Sequence, residues 1–200
     1  MIDLNINGTI YRHPNKIEEV NLKQYISLMA VEHDESKTPL ENNLKGFSEF
    51  ADIPMDALKS APAKEVMYYI SQLTNMLSEI DVDKDMIDKF KVGRFTYYVN
   101  QDIDGADMAQ YVDCTHMMNL MNSEPEYFPY MMAIYCLRKN EIYDDVDLEK
   151  RAAIMMKANV VDAIKVNTFF LTTSQNYVRD FQLYLVKRLQ ANKSKLEVAI

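Results

Sequence analysis

The amino-acid sequence predicts a mainly α fold, a multi-helix bundle carrying one or two small β-hairpins. Three observations carry that expectation. Apolar residues recur at steps of three and four through most of the chain, the spacing that lines one side of an α-helix. Two short stretches, either side of Asn7-Gly8 and of Gly93-Arg94, instead alternate or gather β-branched and aromatic residues around a two-residue turn. Only 4 glycines occur in 200 residues, too few for the many tight turns of an all-β chain.

Taken in order, Ile2, Leu4 and Ile6 alternate with polar residues, and Asn7-Gly8 then turns the chain into Thr9 to His13. A hairpin is expected at about 2–13, closed by Pro14, which lacks the amide a ladder needs. Asn21 is a natural N-cap for a helix bearing Leu22, Tyr25, Ile26 and Met29, running to about Glu32. A polar loop leads to a second amphipathic helix with Leu40, Leu44, Phe47 and Ala51. Pro54 opens a short helical turn through Leu58. Pro62 opens a long helix with Val66, Tyr69, Ile70, Leu73, Leu77 and Ile80 on one face.

The stretch 81–88 is acidic and breaks the pattern. Phe90 to Val99 reads as the second hairpin, with glycine first in its turn. Asp104 to Asp107 caps a helix whose expected core side holds Met108, Tyr111, Val112, Thr115 and Leu120. Ser123 and Pro125 start another, with Phe128, Met131, Met132 and Tyr135 apolar. After an acidic loop at 140–147, helix is expected from Leu148 to about Leu189, with breaks near Asn159 and near Thr172. The length allows one domain or two. If two, the divide is 1–88 and 89–200, each a hairpin followed by helices. The similarity of Leu22-Lys23-Gln24-Tyr25-Ile26 to Met108-Ala109-Gln110-Tyr111-Val112 would fit a duplication, with Tyr25 and Tyr111 facing the core alike.

The formal net charge of −8 disfavours direct contact with phosphate backbones and with anionic membrane surfaces. No apolar run approaches the ~18 residues of a membrane span, and the N-terminal residues do not read as a signal peptide. Cys114 and Cys136 are expected as buried free thiols. No nucleotide, nucleophile or metal motif is present. Cys114 and His116 point about 200° apart on a helix and cannot share an ion. Asp81 to Asp85 opens like a calcium loop, but Met86 and Val92 stand where its glycine and glutamate belong. No catalytic, cofactor-binding or metal-binding residues are assigned, and no cofactor is expected. The basic cluster Lys187, Arg188, Lys193 and Lys195 complements a helix C-terminus. Tyr177, Phe181, Tyr184, Leu185 and Leu189 form an apolar stripe, widened by Val178, Leu183 and Val186. That stripe is either central core or a partner-contact face, and it is the candidate interaction site.

Several short motifs sit in a recognisable layout. The hairpin ends in His13-Pro14 and leads to Val20-Asn21-Leu22-Lys23-Gln24-Tyr25-Ile26. Ala109-Gln110-Tyr111-Val112-Asp113 is followed by the apolar run from Phe128 to Arg138, and Val161-Asp162-Ala163-Ile164 by Phe169-Phe170. In this layout the chain resembles small, acidic, helical structural and assembly proteins of tailed bacteriophages, most of all those of crAss-like phages. The resemblance covers most of the chain and carries over no functional residues. It implies a non-enzymatic virion protein, either a tail or neck component or a packaged cargo protein. A tail-assembly chaperone not retained in the particle, a host-directed adaptor and an enzyme with an unrecognised site are the alternatives. The implied partners are other phage structural proteins, in multiple copies, with no direct nucleic acid and no membrane. The implied locations are the host cytoplasm during assembly and then the virion.

Overall fold

A computed structural model describes residues 1–31, 36–78, 87–101, 108–121 and 125–170. The described chain is mainly helical, with two small sheets. β1 (Ile2–Ile6) and β2 (Thr9–His13) form the first hairpin, in register Ile6↔Thr9. Asn7 and Gly8 both take positive φ, 52° and 85°, as the two-residue turn that follows strand twist demands. Leu4 and Ile6 face inward, while the exposed Ile10 faces out.

α1 (Leu22–Met29) starts at Asn21, whose side chain accepts from the Gln24 amide at 2.9 Å while Gln24 Oε1 accepts from the Asn21 amide at 3.1 Å. α2 (Pro39–Ala51) begins with a second such box between Thr38 and Glu41, and Asp52 ends it in the left-handed region. α3 (Met55–Ser60) and α4 (Ala63–Ser78) follow Pro54 and Pro62. The buried side of α4 is Val66, Ile70, Leu73 and Met76; Ile80 lies outside the described residues.

β3 (Lys89–Val92) and β4 (Phe95–Val99) are the second hairpin, turned by Gly93 at φ 58°. A short strand that the sequence does not announce, β5 (Cys136–Leu137), joins it and pairs with Tyr98 and Val99. α5 (Met108–Met121) precedes α6 (Phe128–Tyr135), whose side chains from Met131 to Tyr135 are all buried. A helix apolar all round belongs at the centre of a core. α7 (Leu148–Met155) is capped by Asp147, and α8 covers 160–170 after the expected break at Asn159.

The expected face of α5 is corrected. Met108 and Val112 are 75% and 56% exposed, and Tyr111 is only half-buried. Among the described side chains of α5 the buried ones are Gln110 and Cys114. Gln110 turns inward because its Nε2 donates to the Ile134 carbonyl at 2.7 Å, an acceptor near the end of α6 that has lost helical partners. The likeness to α1 therefore fails in orientation: Leu22 and Ile26 are buried, whereas Met108 and Val112 at the matching positions are not.

Two apolar clusters form the interior. One gathers Leu4, Ile6, Phe47, Phe50, Leu58 and the core side of α4. The other surrounds α6 with Phe90, Val92, Tyr97 and Phe170. Each borrows from the other end of the chain: Leu22 and Ile26 enter the second cluster, and Val160 and Ile164 enter the first. A clip joins them. The Leu22 and Lys23 amides donate to the Ala158 and Met156 carbonyls, and the Val160 amide to the Val20 carbonyl, each at 2.9 Å. Two helix starts, at Asn21 and Asn159, thus satisfy each other's free amides and carbonyls.

Candidate docking surfaces

Tyr177, Phe181, Tyr184, Leu185 and Leu189, the partner-contact face expected from sequence, lie outside the described residues, as do the basic cluster that follows and His33. No helix among the described residues is long and apolar enough to cross a membrane.

The remaining chemistry-bearing side chains are spread out. Among the described residues no group of three or more His, Cys, Asp or Glu could hold a metal. His13 is buried between two rings, edge-on to Phe47 at 5.7 Å and to Tyr69 at 4.9 Å. Its Nδ1 lies 2.8 Å from the Pro14 carbonyl, and its Nε2 has no partner among the described residues. Burial pushes its pKa below the usual histidine value. Cys114 and Cys136 are free and buried, and burial pushes the Cys114 thiol up to about 12 and the Cys136 thiol up as well. His116 is exposed, on the side of α5 away from Cys114.

Arg151 is buried and pairs with Glu141, lies 5.1 Å over the Tyr97 ring, and reaches toward the Cys136 carbonyl. Glu141 also accepts from the Arg138 amide at 2.8 Å and from its Nε at 3.2 Å. Burial alone would raise the Glu141 carboxyl, but the hydrogen bonds from Arg151 and Arg138 outweigh it and hold the pKa low. Every strong contact in this network ends on another protein group. It fixes the turn after β5 to α7.

The surface offers apolar concavities instead. α2, α3 and α4 flank a groove whose floor holds Leu44, Leu58 and Val66, with Leu40 and Met67 exposed at its lips, enclosing about 240 Å³. It continues past Leu44 and Lys59 into a second hollow of about 210 Å³, lined by Met55 and by Lys37, Lys45 and Lys59. Glu41 is there too, held by Thr38 and by the field of Lys37 and Lys59. The apolar groove thus has Lys59 at its edge, and the hollow beside it adds Lys37 and Lys45, in a chain of opposite net charge. A third hollow of about 240 Å³ lies between α1, α2 and α4, where Gly46 brings α2 close to Leu28.

The sequence hides the groove because Leu40 and Leu44 fall on the same helical spacing as Phe47 and read as core. In the fold α2 buries Phe47 and Phe50, and Leu40 and Leu44 slide to the side. A cue existed in Lys37 and Lys45, which flank those leucines in an otherwise acidic chain.

Comparison with known protein families, with curated proteins and with solved structures finds no match to this chain.

Proposed function

We infer that this chain works by docking other polypeptides, as a tail or neck component or a packaged protein of a tailed-bacteriophage particle. The observation that carries the reading is the groove between α2, α3 and α4. It keeps Leu40 and Met67 in water at 46% and 48% exposure around an apolar floor. Apolar clefts with a polar rim are what protein partners fill, and methionine adapts to the side chains it meets. The lysine rim favours a partner segment with acidic flanks. On this reading the helices act as one bundle that presents the groove, first in the host cytoplasm and then in the virion.

The test is mass spectrometry of particles purified from a phage that carries the gene, beside Leu40→Asp and Met67→Asp forms of the chain. Both side chains are exposed, so both variants are expected to keep the fold. The expected result is the chain in fixed ratio to other particle proteins, with incorporation of each variant reduced about fivefold or more, since an anchor lost from an apolar pocket removes over 1 kcal/mol. A chain absent from particles yet bound to a tail protein in the lysate would favour a chaperone. A chain bound to one host protein alone would favour an adaptor.

A further inference from the structure

A second surface, on the opposite cluster from the groove, carries both halves of a complementary pair. The three-stranded sheet buries Phe90, Val92, Tyr97 and Val99. Strand alternation therefore turns their neighbours outward, and the pairing aligns Lys89, Tyr98 and Leu137 in one row across the exposed face. Tyr98 is 43% exposed. At the end of this row opens a hollow of about 450 Å³, lined by Tyr98, Asn100, Leu137, Arg138, Lys139 and Asn140. It is apolar at Tyr98 and Leu137 and cationic at Lys139.

The chain leaves that hollow by a tight turn, in which the Glu141 amide donates to the Arg138 carbonyl at 3.1 Å. It then presents Ile142, 64% exposed, followed by the exposed carboxylates Asp144 and Asp145. This projection is held from every side. Glu141 is gripped by Arg138 and Arg151. The Tyr143 ring is buried and its hydroxyl donates to Asp113 Oδ2 at 2.6 Å. Asp147 is fixed as the cap of α7. An isoleucine on a rigid turn, out in water and followed by acids, thus stands beside an open hollow that Lys139 lines, with Lys89 paired to Tyr98 on the next strand.

We propose that this surface joins two copies of the chain about a twofold axis. Ile142 of each copy enters the hollow of the other, and Asp144 and Asp145 meet the other's Lys89 and Lys139. A patch that contains both a projection and its receptor is satisfied twice in a twofold pair, and leaves nothing unfilled to propagate a fibre. Charge complementarity selects the second copy as the occupant: the same sequence supplies two exposed anions and two exposed cations a few residues or one strand pairing apart. The rigid turn requires little ordering on association. The surface is distinct from the α2–α3–α4 groove, so pairing leaves two grooves free and gives a particle partner two points of attachment.

The test is the molar mass of the full chain in solution by light scattering, across protein concentration and salt. The wild-type chain is expected at twice its 23.3 kDa, with dissociation favoured by added salt. Asp144→Lys with Asp145→Lys should weaken pairing at least about tenfold, as like charges then face each other. Lys89→Glu with Lys139→Glu should do the same. An equimolar mixture of the two double variants should recover the doubled mass, because each then supplies what the other needs. Ile142→Glu, at a side chain already in water, serves if a double variant fails to fold, and should remain single. A wild-type chain that stays at one copy up to about 100 µM in low salt overturns the proposal. Pairing that survives both double variants, or a mixture that stays single, overturns it equally. None of these results bears on the groove, whose variants are scored on particles.

Discussion

His13 shows most directly how one residue couples this fold to solution conditions. It closes the first hairpin, yet sits between Phe47 and Tyr69, where a charged imidazolium has lost its water. Its pKa in the fold is therefore below the 6.5 of the free side chain. As pH falls through 6.5 the unfolded chain takes up a proton before the folded one, so stability from this group is full above 6.5 and declines below it. Glu41, Glu141 and Asp147, whose values are lowered, withdraw their contributions only as pH falls through their ordinary range near 4 and beyond. Thermal melting should thus show a loss of Tm between pH 7 and pH 5 that His13→Phe removes; an identical slope in both proteins would contradict the burial of a neutral ring. Nothing local in the sequence reveals this. His13 before Pro14 reads as a strand end, and the two rings that enclose it come from helices more than 30 residues away.

Among the elements, α5 and α6 separate what the sequence makes legible from what it does not. Turn chemistry is local, so Asn7-Gly8, Gly93-Arg94, Asn21 and Pro62 could be read directly. The orientation of α5 could not, because its apolar residues are spread around the helix and a glutamine bond to α6 decides which side turns inward. β5 could not either: two residues at the end of a helical run carry no strand period of their own. The corrected orientation changes the energetics. Tyr111→Ala, at a half-buried side chain, should cost about 1 kcal/mol. Tyr135→Ala should cost about 4 kcal/mol, because that ring is fully buried and stacked on Phe170 at 4.1 Å. Tyr97→Phe should leave stability unchanged or raise it, since its buried hydroxyl has no hydrogen-bond partner among the described residues. Urea unfolding of the three variants gives the order, and a Tyr111 effect equal to that of Tyr135 would return Tyr111 to the core.

At the scale of the whole molecule the clip between 20–23 and 156–160 matters most. It lets each cluster take two side chains from the distant end of the chain, across the divide at 88 that the repeated order of hairpin and helices suggests. Asn159 is its centre: its Oδ1 accepts from the Val161 amide at 2.9 Å while its Nδ2 donates to the Glu18 carbonyl at 2.7 Å. Asn159→Ala removes a helix cap and a long-range bond together and should cost about 2 kcal/mol. Wild-type unfolding should be a single transition seen alike by tyrosine fluorescence and by circular dichroism. Two separated transitions would mean that the clusters fold independently.

Docking through the α2–α3–α4 groove is tested most directly by photo-crosslinking inside cells that are producing particles, with p-benzoylphenylalanine placed at Met67 and, as a control, at the exposed Lys23. The groove reading expects a discrete adduct between position 67 and one or a few particle polypeptides, with no such adduct from position 23. Position 67 yielding no polypeptide adduct, or the same scattered products as position 23, would contradict it.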